Sequence, residues 1–229
     1  MVAELKQSRS LPPLENGDRL SRDEFERRYH AMPQHKKIEF IEGRVLMSSP
    51  VRARKHSKPH AAVIAWLSTY WIETPGLELM DNATVRLDED NEPQPDACLR
   101  LEESLGGRSR ITTDDYLEGA PELIVEIAAS SVSYDLHDKK QVYCRNGVQE
   151  YLVWRVLDQA FDWFVLENGS YIALPVDGDG ILRSRVFPGL WLPVDELLAG
   201  NLAQVVAGLK LGLDSADYQA FQQRLNRSS

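Results

Sequence analysis

The sequence has few cysteines, no long hydrophobic run and no excess of positive charge. Only Cys98 and Cys144 occur among 229 residues, without C-x-x-C spacing, so neither a disulfide framework nor a cysteine zinc site is expected. No apolar run approaches the ~20 residues of a membrane helix, and the first residues lack the apolar stretch of a signal peptide. We therefore expect a cytoplasmic protein that makes no membrane contact.

Acidic residues outnumber basic ones, 35 Asp and Glu against 26 Lys and Arg, for a formal net charge of -9. This balance excludes a strongly basic protein that coats nucleic acid, because phosphate binding depends on a basic surface. It does not exclude a nucleic-acid enzyme, whose site can combine local cations with acidic metal ligands. The motifs G-x-x-x-x-G-K-[ST] and G-x-S-x-G are absent, so P-loop NTPases and serine hydrolases have no support.

The order of elements predicts one domain over residues 1–229. Residues 1–20 are an extended lead-in, residues 21–24 form a capping box that opens a helix, and residues 36–49 form a hairpin around Glu42-Gly43. The other elements outside the central unit are a helix over 59–71, strands over 77–87 and 95–101, a loop over 102–120, strands over 161–166 and 171–174, and C-terminal helices over 194–229.

A strand–helix–strand unit lies in the middle of the chain. Residues 122–129 form a nearly continuous apolar run, which is typical of a strand buried on both faces. Asp135 and Asp138 open a helix that Asn146-Gly147 ends, and residues 150–156 form the next strand. This order predicts a right-handed crossover in a sheet with parallel character, and hence an α/β fold.

Two carboxylates are the candidates for chemistry. Asp96 follows Pro95 at the start of a predicted strand, and Glu126 lies inside an apolar strand, where an ionised carboxylate is costly without a positive partner. A structural ion pair with an arginine would satisfy Glu126. Alternatively, two carboxylates on adjacent strands can chelate one Mg²⁺, which stabilises charge on a phosphodiester and activates water. The residues alone leave both interpretations open.

Lys139 and Lys140 on the following helix could supply a cation near that water. The alternative is that both are solvated surface lysines. Because a helix advances about 100° per residue, the two cannot face the same site, and Lys139 shares a face with Tyr143. His56 and His60 do not complete a zinc site, because no third ligand is placed by the sequence, and their role stays open.

Several short motifs occur in an order that resembles a known family. They are Glu-Phe-Ile-Glu-Gly (39–43), Ser-Pro (49–50), Pro-Asp (95–96), Pro-Glu-Leu-Ile-Val-Glu-Ile (121–127), Asp-Leu-His-Asp-Lys (135–139) and Asn-Gly-Val-Gln-Glu-Tyr-Leu-Val-Trp (146–154). From about residue 20 to residue 191 the chain resembles the bacterial Uma family of proposed endonucleases, within the PD-(D/E)XK restriction-endonuclease-like superfamily. The resemblance implies a restriction-endonuclease-like core, a central mixed β-sheet flanked by helices, here with a C-terminal helical extension.

The resemblance also implies a site. Asp96 and Glu126, with the Ile127 carbonyl, would hold Mg²⁺ or Mn²⁺, and Glu39 would support the metal site. Two carboxylates that are close enough to bind one metal ion repel each other, so without the metal at least one is expected to have a raised pKa.

One position departs from the superfamily pattern, since Ala128 stands where the basic pattern has Lys. The Uma family resembles a version in which this lysine has moved to the next helix, and Lys139 holds the matching place. The implied function is a Mg-dependent endonuclease that hydrolyses phosphodiester bonds in DNA, and a homodimer would provide two sites for two strands. The alternative, favoured by the acidic balance and Ala128, is a non-catalytic module that keeps the fold and binds a protein partner.

Overall fold

A computed structural model describes residues 11–32, 34, 37–47 and 52–228. Residues 1–10 of the predicted lead-in, the predicted hairpin ends at 36 and 48–49, and the Ser-Pro motif lie outside this part. The strands are β1 (Ile38–Ile41), β2 (Arg44–Met47), β3 (Leu77–Asp81), β4 (Val85–Arg86), β5 (Ala97–Leu101), β6 (Ser109–Ile111), β7 (Leu117–Gly119), β8 (Leu123–Ala128), β9 (Glu150–Arg155), β10 (Ala160–Glu167), β11 (Ser170–Ala173), β12 (Ile181–Arg183) and β13 (Trp191–Pro193).

The helices surround a six-stranded sheet of order β11-β10-β9-β8-β5-β3. They are α1 (Arg22–His30), α2 (Lys58–Glu73), α3 (Val132–Tyr134), α4 (Lys140–Asn146), α5 (Val194–Ala199), α6 (Leu202–Leu213) and α7 (Ala216–Ser228). Two π-helical turns, Ala53–Ser57 and Asp135–Lys139, continue directly into α2 and α4. The α/β fold with a mixed sheet, flanking helices and a C-terminal helical extension is confirmed.

Strand β8 is buried on both faces, as its apolar run predicted. It pairs parallel with β9 and antiparallel with β5, and the segment containing α3 and α4 makes the connection to β9. Odd-numbered residues from Leu123 to Ile127 belong to one core cluster, whereas Ile124 and Ala128 belong to the other. Glu126 lies on the same face of β8 as Ile124 and Ala128 and is the one charged residue of this strand.

Helix α2 and the C-terminal helices share one core with the sheet, while α4 packs on the opposite face. Trp66 of α2 meets Trp163 of β10 edge to face at 5.9 Å, and Leu209 of α6 joins the same cluster. On the other side Tyr143 of α4 lies 4.9 Å from Tyr151 of β9. Within the described residues, no helix is long and apolar enough to cross a membrane.

The β1–β2 hairpin packs beside α1, outside the central sheet. Its turn lies at Glu42-Gly43, as predicted, with positive φ at both residues, 53° and 68°. Such a turn matches the right-handed twist of the two strands. Phe40 of β1 exchanges two backbone hydrogen bonds with Glu92, which fixes the hairpin against the segment that leads to β5.

Two predictions for the edge of the fold are wrong. The strand predicted over 77–87 is interrupted, because β3 ends at Asp81 and β4 belongs to a separate sheet of order β4-β7-β6. The loop predicted over 102–120 contains β6 and β7, joined by a cross-strand ion pair between Arg110 and Glu118. These strands of three residues contain charged side chains, so hydrophobic alternation could not identify them.

The helical segment before β9 begins earlier than predicted. Its first residue is Val132, and Asp135 does not open the helix but lies in the π-helical turn, 3% exposed. Such turns place one extra residue in a helical turn and occur frequently at functional sites. The predicted end is confirmed, since α4 ends at Asn146 and Gly147 follows in the left-handed conformation.

Candidate active site

Asp96 and Glu126 lie opposite each other just beyond the last residue pair of the β5–β8 ladder. Asp96 immediately precedes β5, whose first residue pairs with Val125 of β8. Extending this antiparallel register by one residue places Asp96 opposite Glu126, with both side chains on the same face of the sheet. Cys98 and Ile124, two residues away along each strand, belong to the core cluster on that face. Asp96, which directly precedes β5, and Glu126 on β8 are thus brought to the same face of the sheet.

Ile127 directs its backbone polar groups towards Asp96. The carbonyl of the next residue, Ala128, accepts from Val156 N at 3.0 Å and so points towards β9. Because backbone groups alternate in direction along a strand, those of Ile127 point towards β5. Accordingly, Ile127 N donates to Asp96 Oδ2 at 2.8 Å, and the Ile127 carbonyl is directed to the same side.

Glu126 is held by an ammonium and a phenol. Its Oε1 accepts from Lys139 Nζ at 2.8 Å and from the Tyr143 hydroxyl at 2.9 Å. Burial raises the pKa of Glu126 to about 8, although the Lys139 charge acts in the opposite direction. Its Oε2 accepts no hydrogen bond from the described residues, which leaves one carboxyl oxygen for a ligand.

The Lys139 ammonium lies at the centre of a buried acidic cluster. Its Nζ is 2.7 Å from Glu39 Oε1, 2.8 Å from Glu126 Oε1 and 4.0 Å from Asp135 Oδ1. Burial opposes the charge, but the three carboxylates outweigh it and raise the pKa of Lys139 well above its usual value. Lys139 is therefore a cation that can orient or polarise a water molecule, and it is not a base.

The hairpin positions Glu39 for this contact. Besides Lys139, Glu39 Oε1 accepts from the backbone N–H of Gln94 at 2.8 Å. Since Gln94 lies two residues before Asp96, one hydrogen bond connects β1 to the segment that carries the first site carboxylate. Glu39 thus contacts the site through the lysine and the backbone.

The two neighbouring lysines point in different directions. Lys139 and Tyr143, four residues apart, both contact Glu126, whereas Lys140 Nζ lies 3.4 Å from the ring centroid of Phe164. The predicted orientation of Lys139 towards the carboxylates is confirmed. The alternative that both lysines are solvated at the protein surface is wrong, because Lys139 is 3% exposed and Lys140 is half-buried over an aromatic ring. The catalytic role of Lys139 stays a prediction.

Asp96 is surrounded by hydrogen-bond donors. Its Oδ1 accepts from Lys37 Nζ at 3.0 Å, and its Oδ2 accepts from the backbone N–H of Ile127 and from His56 Nε2, at 3.1 Å. Burial acts in the opposite direction, but His56, Lys37 and Ile127 together lower the pKa of Asp96 below its usual value.

The two carboxylates therefore have opposite electrostatic environments. One raised pKa was predicted from mutual repulsion, and the pKa of Glu126 is indeed raised. Burial is its main cause, however, and the charge of Asp96 contributes less. Donors keep Asp96 ionised while an apolar strand disfavours the charge on Glu126, which is the arrangement by which two adjacent carboxyl groups acquire different protonation states.

Lys37 and Asp135 belong to the site although the sequence analysis did not place them there. Asp135 was interpreted as a helix-opening residue, yet its position four residues before Lys139 on a helix was a signal that could have revealed it. Lys37 gave no local signal, because its partner Asp96 is 59 residues away. Only the docking of the hairpin brings the two together.

His56 and His60, whose role the sequence left open, both contact Asp96. His56 Nε2 bonds the carboxylate, while His60 Nε2 donates to the Asp96 carbonyl at 2.9 Å and lies 3.1 Å from Asp81 Oδ1. His56 Nδ1 is buried and has no hydrogen-bond partner among the described residues. The two histidines thus position Asp96.

Most of the side chains of the site line a cleft of about 610 Å³. Its lining includes the site carboxylates and Lys139, together with Ser130–Ser131, Tyr134, Arg52, Lys55 and His56. Both π-helical turns border the cleft. Their irregular backbone carries Lys139 in one case and His56 in the other, so both irregular turns supply side chains to the site.

The donor set of the cleft fits Mg²⁺. Asp96, the free Oε2 of Glu126 and the Ile127 carbonyl are all oxygen donors, and Mg²⁺ binds through one or two carboxylates while it retains several waters. In the part of the chain that the structure describes, no three His, Cys, Asp or Glu side chains form a metal-binding group.

The mixed sheet carries an acidic cluster and a buried lysine beside its inner strands β5 and β8, the arrangement that the resemblance to restriction-endonuclease-like proteins implied. The sequence model of the Uma2 family, described as "Putative restriction endonuclease", matches residues 22–195, and the chain belongs to this family. A crystal structure described as a putative nuclease belonging to DUF820 from Anabaena variabilis has a similar fold. It is 14% identical with a TM-score of 0.59, over 76% of this chain and 96% of that chain. Comparison with curated proteins gave no match.

Proposed function

We propose that this protein is a Mg²⁺-dependent endonuclease that hydrolyses phosphodiester bonds in DNA. The family and the nuclease-like fold support a nuclease role. The finer proposal depends on one observation, the Lys139 ammonium held between Glu39 and Glu126 in a cleft, where Glu126 Oε2 accepts no hydrogen bond from the described residues. A preorganised cation next to a candidate metal site is suited to stabilise the charge that develops during phosphodiester hydrolysis.

In this proposal Asp96, Glu126 and the Ile127 carbonyl bind Mg²⁺ or Mn²⁺, which supplies charge stabilisation and lowers the pKa of water. Lys139 orients the attacking water and stabilises it as its proton leaves. Glu39 keeps Lys139 in position. The water oxygen bonds to phosphorus as the water proton passes to bulk solvent, the bond between phosphorus and the leaving sugar oxygen breaks, and that oxygen takes up a proton from solvent.

Metal binding tests the proposed ligands. Glu126→Gln keeps an Oε1 acceptor for Lys139 and Tyr143 but replaces the second carboxyl oxygen, which has no partner among the described residues, so it should fold and lose metal affinity. Asp138→Asn removes an exposed carboxylate from the same turn and is the matched control. Calorimetric titration with Mg²⁺ and Mn²⁺ should show binding to the wild type and to the control, and a loss of at least about tenfold in Glu126→Gln. Equal affinity in all three proteins would contradict the assignment.

Cleavage separates the enzyme from the non-catalytic module. Plasmid and single-stranded DNA should be cut by the wild type with Mg²⁺ or Mn²⁺, and cutting should be lost in Glu126→Gln and retained in Asp138→Asn. A wild type that binds metal but cuts neither substrate would favour the module that binds a protein partner.

A further inference from the structure

Four cations occur within seven residues at the start of the segment that leads into α2. We call Arg52, Arg54, Lys55 and Lys58 the basic strip. All four side chains are exposed, and the strip contains no acidic residue, although the chain as a whole has a formal net charge of -9. This segment is therefore locally basic in a protein that is acidic overall.

Within the described part of the chain, the basic strip lacks the ion pairs that other cations form. Most arginines elsewhere in the described residues are within ion-pair distance of a carboxylate. Over the ranges 11–32, 34, 37–47 and 52–228, no carboxylate lies within that distance of the four cations. Among the described residues no carboxylate offsets their charge at ion-pair distance, which favours an anionic ligand.

The basic strip is continuous with the candidate active site. Arg52 and Lys55 line the same cleft as Asp96 and Glu126, and His56, which lies between Lys55 and Lys58, bonds Asp96. The π-helical turn and α2 form one continuous helix of 21 residues, 5 and 16 in the two parts. The positive end of its macrodipole adds to the charge of the strip. A chain bound along the strip would therefore pass beside the site carboxylates.

We propose that the basic strip binds the phosphodiester backbone of DNA and guides it into the cleft. This inference rests on the proposed nuclease function and assigns the substrate-binding surface that the acidic site itself cannot provide. Phosphate contacts of this kind position nucleic acid without reading its sequence, because exposed Lys and Arg contact phosphate oxygens and release bound counterions.

Metal-free DNA binding tests the proposal independently of cleavage. The variant Lys55→Ala/Lys58→Ala is compared with Lys210→Ala/Arg227→Ala, which removes the same charge from exposed positions on α6 and α7. Fluorescence anisotropy in EDTA with a labelled 20-base-pair duplex, and with its single strand, is measured from about 50 to 200 mM salt. We expect the strip variant to bind about tenfold more weakly at low salt. Because two phosphate contacts are removed, the slope of log affinity against log salt concentration should also be shallower, by up to roughly 1.8 for the duplex and 1.4 for the single strand. The control should change affinity less than about twofold, and melting curves check that both variants fold.

Each outcome decides the proposal. Equal affinities and slopes for the strip variant and wild type, equal losses in strip and control variants, or no DNA binding by the wild type at low salt would overturn it. A larger loss for one probe identifies duplex or single-stranded DNA as the form that the strip prefers. If the strip variant alone loses affinity while the wild type neither binds metal nor cuts DNA, the strip is supported and the endonuclease proposal is wrong.

Discussion

Replacing Lys139 with Met removes the buried ammonium and keeps a flexible apolar side chain of similar length. In the structure this ammonium contacts Glu39 and Glu126 at 2.7 and 2.8 Å, and among the described residues it is the nearest cation to both. Without it, buried carboxylates lose their compensating charge. Breaking a buried ion pair by removing one partner costs about 3–5 kcal/mol, and uptake of a proton by Glu126, whose pKa is already about 8, would reduce the loss.

Lys140→Met is the matched control on the adjacent residue. Lys140 lies over the Phe164 ring at 3.4 Å and contacts none of the site carboxylates at ion-pair distance. A cation over an aromatic ring at a partly exposed position contributes about 0.5–2 kcal/mol. The loss at Lys139 is expected to be the larger of the two, so the pair of variants tests the location of the ammonium rather than the general effect of removing a lysine.

The assay is urea unfolding in EDTA at pH 7.5, supported by thermal melting. For a chain of this length, 1 kcal/mol shifts the melting temperature by about 2–4 °C, so Lys139→Met should melt roughly 6–20 °C lower than the wild type. Loss of the preorganised cation should also reduce DNA cleavage at least about 100-fold, whereas Lys140→Met should change it only a few-fold. Equal destabilisation of the two variants, or a larger effect on stability and cleavage at Lys140, would refute the assignment.

Two further predictions concern other buried carboxylates. In Asp96→Asn the amide NH₂ must face either Lys37 Nζ or the Ile127 N–H, both of which are donors. The free energy of unfolding without metal should therefore fall by about 1–3 kcal/mol. A urea midpoint at or above that of the wild type would show that carboxylate repulsion dominates instead. Burial raises the pKa of Glu150 from 4.5 to about 7, so its folded form binds a proton that the unfolded chain releases. The stability from this group is fully present below pH 4.5 and is lost as pH rises through 7, and Glu150→Gln should therefore gain up to ~3 kcal/mol over the wild type above pH 7. Unfolding curves at pH 5 and 8 check this, and a difference between the two proteins that does not vary with pH would contradict it.

The centre of the fold could be predicted because its signals are local. The apolar run that contains Glu126 has the length and composition of a strand buried on both faces, and Asn146-Gly147 has the backbone preference that ends a helix. The spacing of Lys139 and Tyr143 fixed their common face without knowledge of any tertiary contact. Each of these inferences uses interactions within one element.

The parts that escaped prediction depend on contacts between elements. Lys37 and His56 reach Asp96 only because the hairpin and the start of α2 dock beside the sheet. The π-helical turn that carries Asp135 and Lys139 results from a shift in backbone hydrogen bonds, and side-chain periodicity does not encode it. Strand pairing and backbone register, which position charged side chains, therefore limit what can be predicted for a site of this kind.

Net charge illustrates the same limit for function. The excess of acidic residues argued against a nucleic-acid partner, but a sum over the chain counts charges that cancel locally. Lys139 is surrounded by buried carboxylates and contributes nothing to the outer surface, while most arginines are paired with an acidic neighbour. What a phosphodiester backbone would encounter is the uncompensated charge, and this is concentrated where Arg52 and Lys55 border the cleft. An acidic protein can therefore present a cationic approach to an acidic site, and the distribution of unpaired charge decides which ligand it attracts.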